Sequence, residues 1–210
     1  MCIRDRDREK MEKMMNYSIK FAFLFLLPLL VSIAVLSYSI IQLIYGDKFI
    51  SSYWALKILI FTPIIMFVDS NFTNILIISD MQKTSSIIKA ITTTLMIISV
   101  FLGISRFGIV GAATIIVFFT ALNALIQFFY VQKTIRVDFQ NAILKPVLYS
   151  TIFGAGLYYI KNFNLTLSFI SAFVIYGFMI YRFKALSSEE INFIKINLSL
   201  LKSKFLSISF

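Results

Sequence analysis

Residues 21–45 read FAFLFLLPLLVSIAVLSYSIIQLIY, twenty-five positions without a charge. A helix rises about 1.5 Å per residue, so such a run covers the roughly 30 Å hydrocarbon core of a bilayer. The rest of the chain is of the same kind. Of 210 residues 59% are hydrophobic and 14% charged, and the mean hydropathy is +0.87. That is more apolar surface than a water-facing domain can cover, and it excludes a soluble globule, a disordered tail and a collagen-like fibre. Working outward from 21–45, further long apolar stretches lie at 53–79, 87–104, 107–132, 142–160 and 165–181. The expectation is an all-α polytopic membrane bundle of about six transmembrane helices. It comprises a cytoplasmic segment 1–20, a membrane domain 21–181 and a basic tail 182–210. In the fifth stretch Lys145 and Pro146 lie near the start, so the lysine stem must snorkel to the surface.

There is no histidine and one cysteine, which excludes a histidine base and a disulfide framework, and with them a zinc site. No metal, cofactor or catalytic constellation is indicated, and the chain does not read as an enzyme. The net charge of +10, from 20 Lys and Arg against 10 Asp and Glu, sits in short segments between apolar runs rather than on a continuous basic stripe. Membrane insertion explains that distribution and nucleic-acid binding does not. Assigned to alternate loops, sixteen basic residues fall on one side: the N-terminal group from Arg4 to Lys20, Lys83 and Lys89, Lys133, Arg136 and Lys145, and the group from Arg182 to Lys204. Lys48, Lys57, Arg106 and Lys161 fall on the other. Positive charge is retained in the cytoplasm, so both termini are expected there and the span count is even. Tyr45, Phe49, Tyr53 and Trp54 gather around the first outer loop, as amphipathic rings do at a headgroup boundary.

Polar residues inside the spans are the candidate site. Asp69 is foremost, because a carboxylate near mid-span is costly. Thr62, Asp69, Thr73 and Asp80 stand at i, i+7, i+11 and i+18 and share one helical face. This stripe suits a substrate pathway or ion coupling; the alternative is that Asp69 is paired to a neighbouring helix. Thr120, Asn123 and Gln127 form a second stripe at i, i+3 and i+7, which lines either a hydrated cavity or an interhelical hydrogen-bond seam. Gly108, Gly111, Ala112 and Ala113 are small residues near a helix end and read as helix packing, as do Gly154 and Gly156; substrate contact is the other possibility for the first group. Pro28 and Pro63 are expected to kink their helices.

In the tail, Ser187-Ser188-Glu189-Glu190 reads as a capping box. Ile191, Ile194, Leu198 and Leu201 then follow at helical spacing, giving either an interfacial helix or a disordered basic tail. Met1-Cys2-Ile3-Arg4-Asp5-Arg6 is not a signal peptide, for lack of an apolar core and cleavage site. It resembles adaptor sequence translated at the head of chains from metagenomic assemblies, which implies a natural chain beginning further upstream.

Several segments carry a family resemblance in order. Glu9-Lys10-Met11-Glu12-Lys13 precedes a span with Pro28 and the run Leu43-Ile44-Tyr45-Gly46-Asp47-Lys48-Phe49. Ala55-Leu56-Lys57-Ile58-Leu59 and Asn74-Ile75-Leu76-Ile77-Ile78-Ser79-Asp80-Met81-Gln82-Lys83 follow, then Arg106-Phe107-Gly108-Ile109-Val110-Gly111-Ala112-Ala113. Over residues 9–181 these resemble the C-terminal half of bacterial polysaccharide-export flippases, in the multidrug/oligosaccharidyl-lipid/polysaccharide superfamily. The resemblance implies a protein of the bacterial cytoplasmic (inner) membrane that moves a polyprenyl-linked oligosaccharide between leaflets by alternating access, without covalent chemistry. Complete members have twelve to fourteen spans in two bundles. This chain matches the last six, so the implied partners are the lipid bilayer, the glycan and a missing N-terminal helix bundle, and the fragment alone is expected to be inactive. A drug or metabolite antiporter of the same superfamily and a six-span scaffold without transport are the alternatives.

Overall fold

The structure, a computed structural model, describes residues 3–135, 143–160 and 177. The chain divides into two compact units, Met1–Ala172 and Phe173–Phe210. The elements that follow belong to the first; of the second, only Gly177 is described, and it is helical. Among the described residues all regular structure is helical: α1 (Ile3–Tyr45), a 3-10 turn (Asp47–Ser52), α2 (Tyr53–Leu59), α3 (Thr62–Ile78), α4 (Gln82–Val131) and α5 (Lys145–Ile160). The sixth expected span and the basic tail lie outside the described residues.

The 21–45 run forms the C-terminal part of α1, whose helix extends back to Ile3 and runs on through Pro28. Pro28 has no N–H for the helix ladder. Its carbonyl accepts a hydrogen bond from the Ser32 hydroxyl at 2.8 Å, which satisfies a polar side chain only 1% exposed. α1 ends at Gly46, with φ 76° and ψ −179°, a backbone region that a side chain bars and glycine alone enters readily. Across this turn Tyr38 of α1 meets Tyr53 edge-on with ring centroids 5.7 Å apart, Tyr53 meets Trp54 at 4.8 Å, and Lys57 Nζ lies 5.3 Å from the Trp54 ring.

The second apolar stretch is broken at Ile60 and Phe61, so α2 and α3 are separate helices. Pro63 explains where: it cannot donate into the preceding turn, but its fixed φ suits the first turn of a new helix. α3 closes with a Schellman motif. The Met81 N–H bonds the Leu76 carbonyl at 2.8 Å and the Asp80 N–H bonds that of Ile77 at 3.1 Å. Asp80 itself takes the left-handed conformation, φ 60°, where glycine is usual and aspartate is tolerated. The expected stripe on this span therefore ends before Asp80, which lies past the helix end.

α4 is fifty residues long, about 75 Å if it were straight. It is not straight: Gly108 has φ 61° and ψ −156°, the same glycine-only region as Gly46. The two arms on either side fold back on each other. Ser85 meets Gln127 and Thr92 meets Asn123, so advance along one arm matches retreat along the other. A side chain at Gly103 would collide with Ile115, so the arms approach closely there. The expected third and fourth spans are thus the arms of one helical hairpin.

Met15 and Ile19 of α1, Phe72, Ile75 and Leu76 of α3, and Val131 with Ile135 after the second α4 arm form one buried cluster. The start of α1 and the ends of α3 and α4 therefore share one end of the bundle, together with the basic residues beside them: Lys10, Lys13, Lys83 and Lys133. The Gly46 and Gly108 turns lie at the other end. A second cluster, Leu27, Leu30 and Ile64, joins α1 to α3, and Val147 of α5 packs against it.

Among the described residues three segments are both long and apolar enough to cross a membrane: Lys10–Tyr45, Asp47–Ile78 and Gln82–Val131. α5 has sixteen residues, about 24 Å, short of a hydrocarbon core. Much of this apolar surface is uncovered: Ile87, Ile91, Leu95, Ile98 and Leu102 form an exposed strip along the first α4 arm.

Candidate functional site

Three helical faces converge on Asp69. α3 supplies Asp69 and Thr73, one turn apart. The first α4 arm supplies Ser85, Lys89 and Thr92 at i, i+4 and i+7, and the second supplies Asn123 and Gln127, again one turn apart. Each pair or triplet faces one way because a helix repeats its direction every three to four residues. Polar residues at that spacing among aliphatic neighbours therefore meet when the helices pack.

The Asp69 carboxylate holds the centre. Its Oδ1 accepts from Asn123 Nδ2 at 2.8 Å and from Gln127 Nε2 at 2.6 Å. Its Oδ2 lies 3.3 Å from Lys89 Nζ. A carboxylate can only accept, so both amide nitrogens must face it, and the amide oxygens must then find donors elsewhere. They do. Gln127 Oε1 has the Thr73 and Ser85 hydroxyls each at 3.1 Å, and Asn123 Oδ1 has the Thr92 hydroxyl at 3.1 Å. Thr73 also lies 2.9 Å from the Asp69 carbonyl, so its single proton has two acceptors in reach. Gln127, with no exposed surface, is fixed at both ends of its amide. Asp69 and Lys89 differ in access: their side chains are 13% and 39% exposed.

Beside the pair is a cavity of about 240 Å³. It is half-open: Asp69, Lys89 and Asn123 line it with charged and amide groups, Thr92, Thr93 and Thr120 add hydroxyls, and Met66, Met96 and Phe119 add apolar surface. The Thr120 hydroxyl donates to the Ile116 carbonyl at 2.7 Å, leaving its oxygen free to accept.

Of the residues singled out in the sequence, Asp69, Thr73, Asn123 and Gln127 meet in one network, and Thr120 lines the cavity. Thr62 does not join them. It lies two turns away along α3, its Oγ1 buried without a hydrogen-bond partner. Gly108 makes a turn rather than a packing contact, since a Cβ there would meet nothing within 4 Å but its φ of +61° bars side chains. At Gly111 a Cβ would collide with the Phe107 side chain one turn back. Ala113 is packed, at 1% exposure, and Ala112 is half-buried. Gly154 sits where a Cβ would meet Val31 of α1 at 2.6 Å, whereas Gly156 faces open space.

Lys89 was the main omission. Lysine near a span end reads as a loop charge, like Lys83, but Lys89 lies two turns inside α4. The signal was present, since Ser85, Lys89 and Thr92 repeat the spacing seen in the other two stripes. Among the described residues no group of acidic, histidine or cysteine side chains is arranged to hold a metal ion. Comparison with protein-family models, with curated proteins and with solved structures gives no match.

Proposed function

We propose that this chain is a multi-pass part of a transporter in the bacterial cytoplasmic membrane, one that moves a lipid-linked oligosaccharide from the inner to the outer leaflet. On this reading the chain has six spans, with α4 contributing two, and both termini are cytoplasmic. A second bundle supplies the facing wall of the pathway. The observation that carries the proposal is the Asp69–Lys89 pair on the wall of a cavity inside apolar helices. Ionisable residues at such depth are costly and are generally retained for a pathway or a coupling step. The ordered resemblance of residues 9–181 to polysaccharide-export flippases supports the substrate class.

The second reading, a six-span scaffold without transport, draws on the same network: Asn123 and Gln127 donate to Asp69 through their nitrogens and have hydroxyls at their oxygens, as an interhelical clasp requires. Asp69→Asn in a full-length transporter separates the two. It keeps the size and the oxygen that accepts from Asn123 and Gln127 but removes the charge and the acceptor that faces Lys89. Transport should fall at least tenfold at equal expression, with an altered pH profile. Wild-type rates and pH dependence would leave Asp69 a structural residue.

A further inference from the structure

From the cavity beside Asp69 and Lys89 we infer a subsite for a single uncharged pyranose ring, read through two neighbouring hydroxyls. The inference deepens the transporter reading and rests on it for its biological meaning. Asp69 lines the cavity, and while its Oδ1 accepts from two amides its Oδ2 has Lys89 alone, which leaves Oδ2 the oxygen with acceptor capacity to spare. Lys89 has three donors and directs one at that oxygen, so others remain for a ligand. Together they present an acceptor and a donor side by side, 3.3 Å apart. A vicinal diol matches this: one hydroxyl donates to Oδ2 while its neighbour accepts from Nζ. The free acceptor oxygen of Thr120 and the exposed hydroxyl of Thr93 offer further hydrogen bonds around a ring.

Charge selects against other ligands. The two side chains already neutralise each other, so an added anion or cation would leave one charge uncompensated in surroundings of low dielectric. A polyhydroxylated neutral molecule exchanges hydrogen bonds without that cost. The apolar lining suits the same guest. Phe119 is held edge-on by Phe118, with centroids 5.5 Å apart and planes at 88°, and with Met66 and Met96 it offers an apolar face to the C–H face of a sugar. The volume of about 240 Å³ is small, on the scale of one ring.

The test uses the 210-residue chain in lipid nanodiscs, with saturation-transfer NMR on methyl α-D-glucopyranoside and empty nanodiscs as the blank. Transfer to the neutral glycoside is expected, at least fivefold above that to glucuronate, to glucosamine held protonated, or to tetraphenylphosphonium. Lys89→Met should abolish it. Because that variant strands Asp69 and can misfold, Phe119→Leu and Thr93→Val provide a second reading and should each reduce transfer about threefold with helicity by circular dichroism unchanged. No transfer to the neutral glycoside, equal or stronger transfer to a charged probe, or full transfer in well-folded Phe119→Leu and Thr93→Val would overturn the inference. Binding is read here without transport, so loss of the subsite and failure of the flippase reading are seen separately.

Discussion

At the scale of residues, the centre of this molecule is one carboxylate with three partners from two helical arms. Removing Lys89 leaves a half-buried anion with two amides, and removing Asp69 leaves a cation among hydroxyls and amides. Partial exposure of Lys89 places the pair between the surface and buried limits, so Asp69→Asn and Lys89→Met should each destabilise by about 1–3 kcal/mol. The double variant should cost less than the sum, by about 1 kcal/mol or more, since neither charge is then stranded. Unfolding in mixed micelles measures all four corners of the cycle; strict additivity would show the pair to be energetically idle. Much of this centre was legible because Asp69, Asn123 and Gln127 stand out in apolar runs at one-turn spacing. Lys89 was not, because a lysine near a span end has the same sequence context whether it faces water or an aspartate.

At the scale of elements, two glycines decide where helices stop. Gly46 and Gly108 share a backbone conformation that side chains bar, and each follows an aromatic residue in the sequence, Tyr45 and Phe107. Gly108→Ala should therefore destabilise by about 1–3 kcal/mol, measured by thermal unfolding in detergent. Gly156→Ala, at a described helical position facing open space, should be neutral or slightly stabilising. Equal effects at the two sites would refute the turn assignment. The sequence disclosed the long apolar stretches but misassigned the purpose of Gly108, because a glycine beside Gly111, Ala112 and Ala113 has the same neighbours whether it serves packing or a turn. The α2–α3 break was readable from Pro63. The left-handed Asp80 was not, since aspartate is also at home on a helical polar face.

At the scale of the whole molecule, the described helices place Lys10, Lys13, Lys83 and Lys133 at one end of the bundle and both glycine turns at the other. Burial orders the ends without any reference to a bilayer, and the division agrees with the loop-charge asymmetry even after Lys89 is moved into a helix. Reporter fusions after Lys48 and Lys161 should report the outside, and fusions after Lys83, Arg136 and Lys204 the inside; consistent inversion would overturn the orientation, and disagreement confined to Lys161 would remove the last two spans. The proposed membrane residence would also give the Asp69 network a consequence for synthesis. An unpaired aspartate at a helix centre costs about 2.5–3.5 kcal/mol on insertion, yet Asn123 is 54 residues further along the chain. At about 5–20 residues per second the ribosome takes roughly 3–11 s to deliver that partner. In the proposed transporter Lys89 brings the counter-charge earlier in that interval and the two amides of the second arm complete the network, so release of α3 into lipid is expected to wait on the hairpin folded at Gly108, and the three helices to leave together.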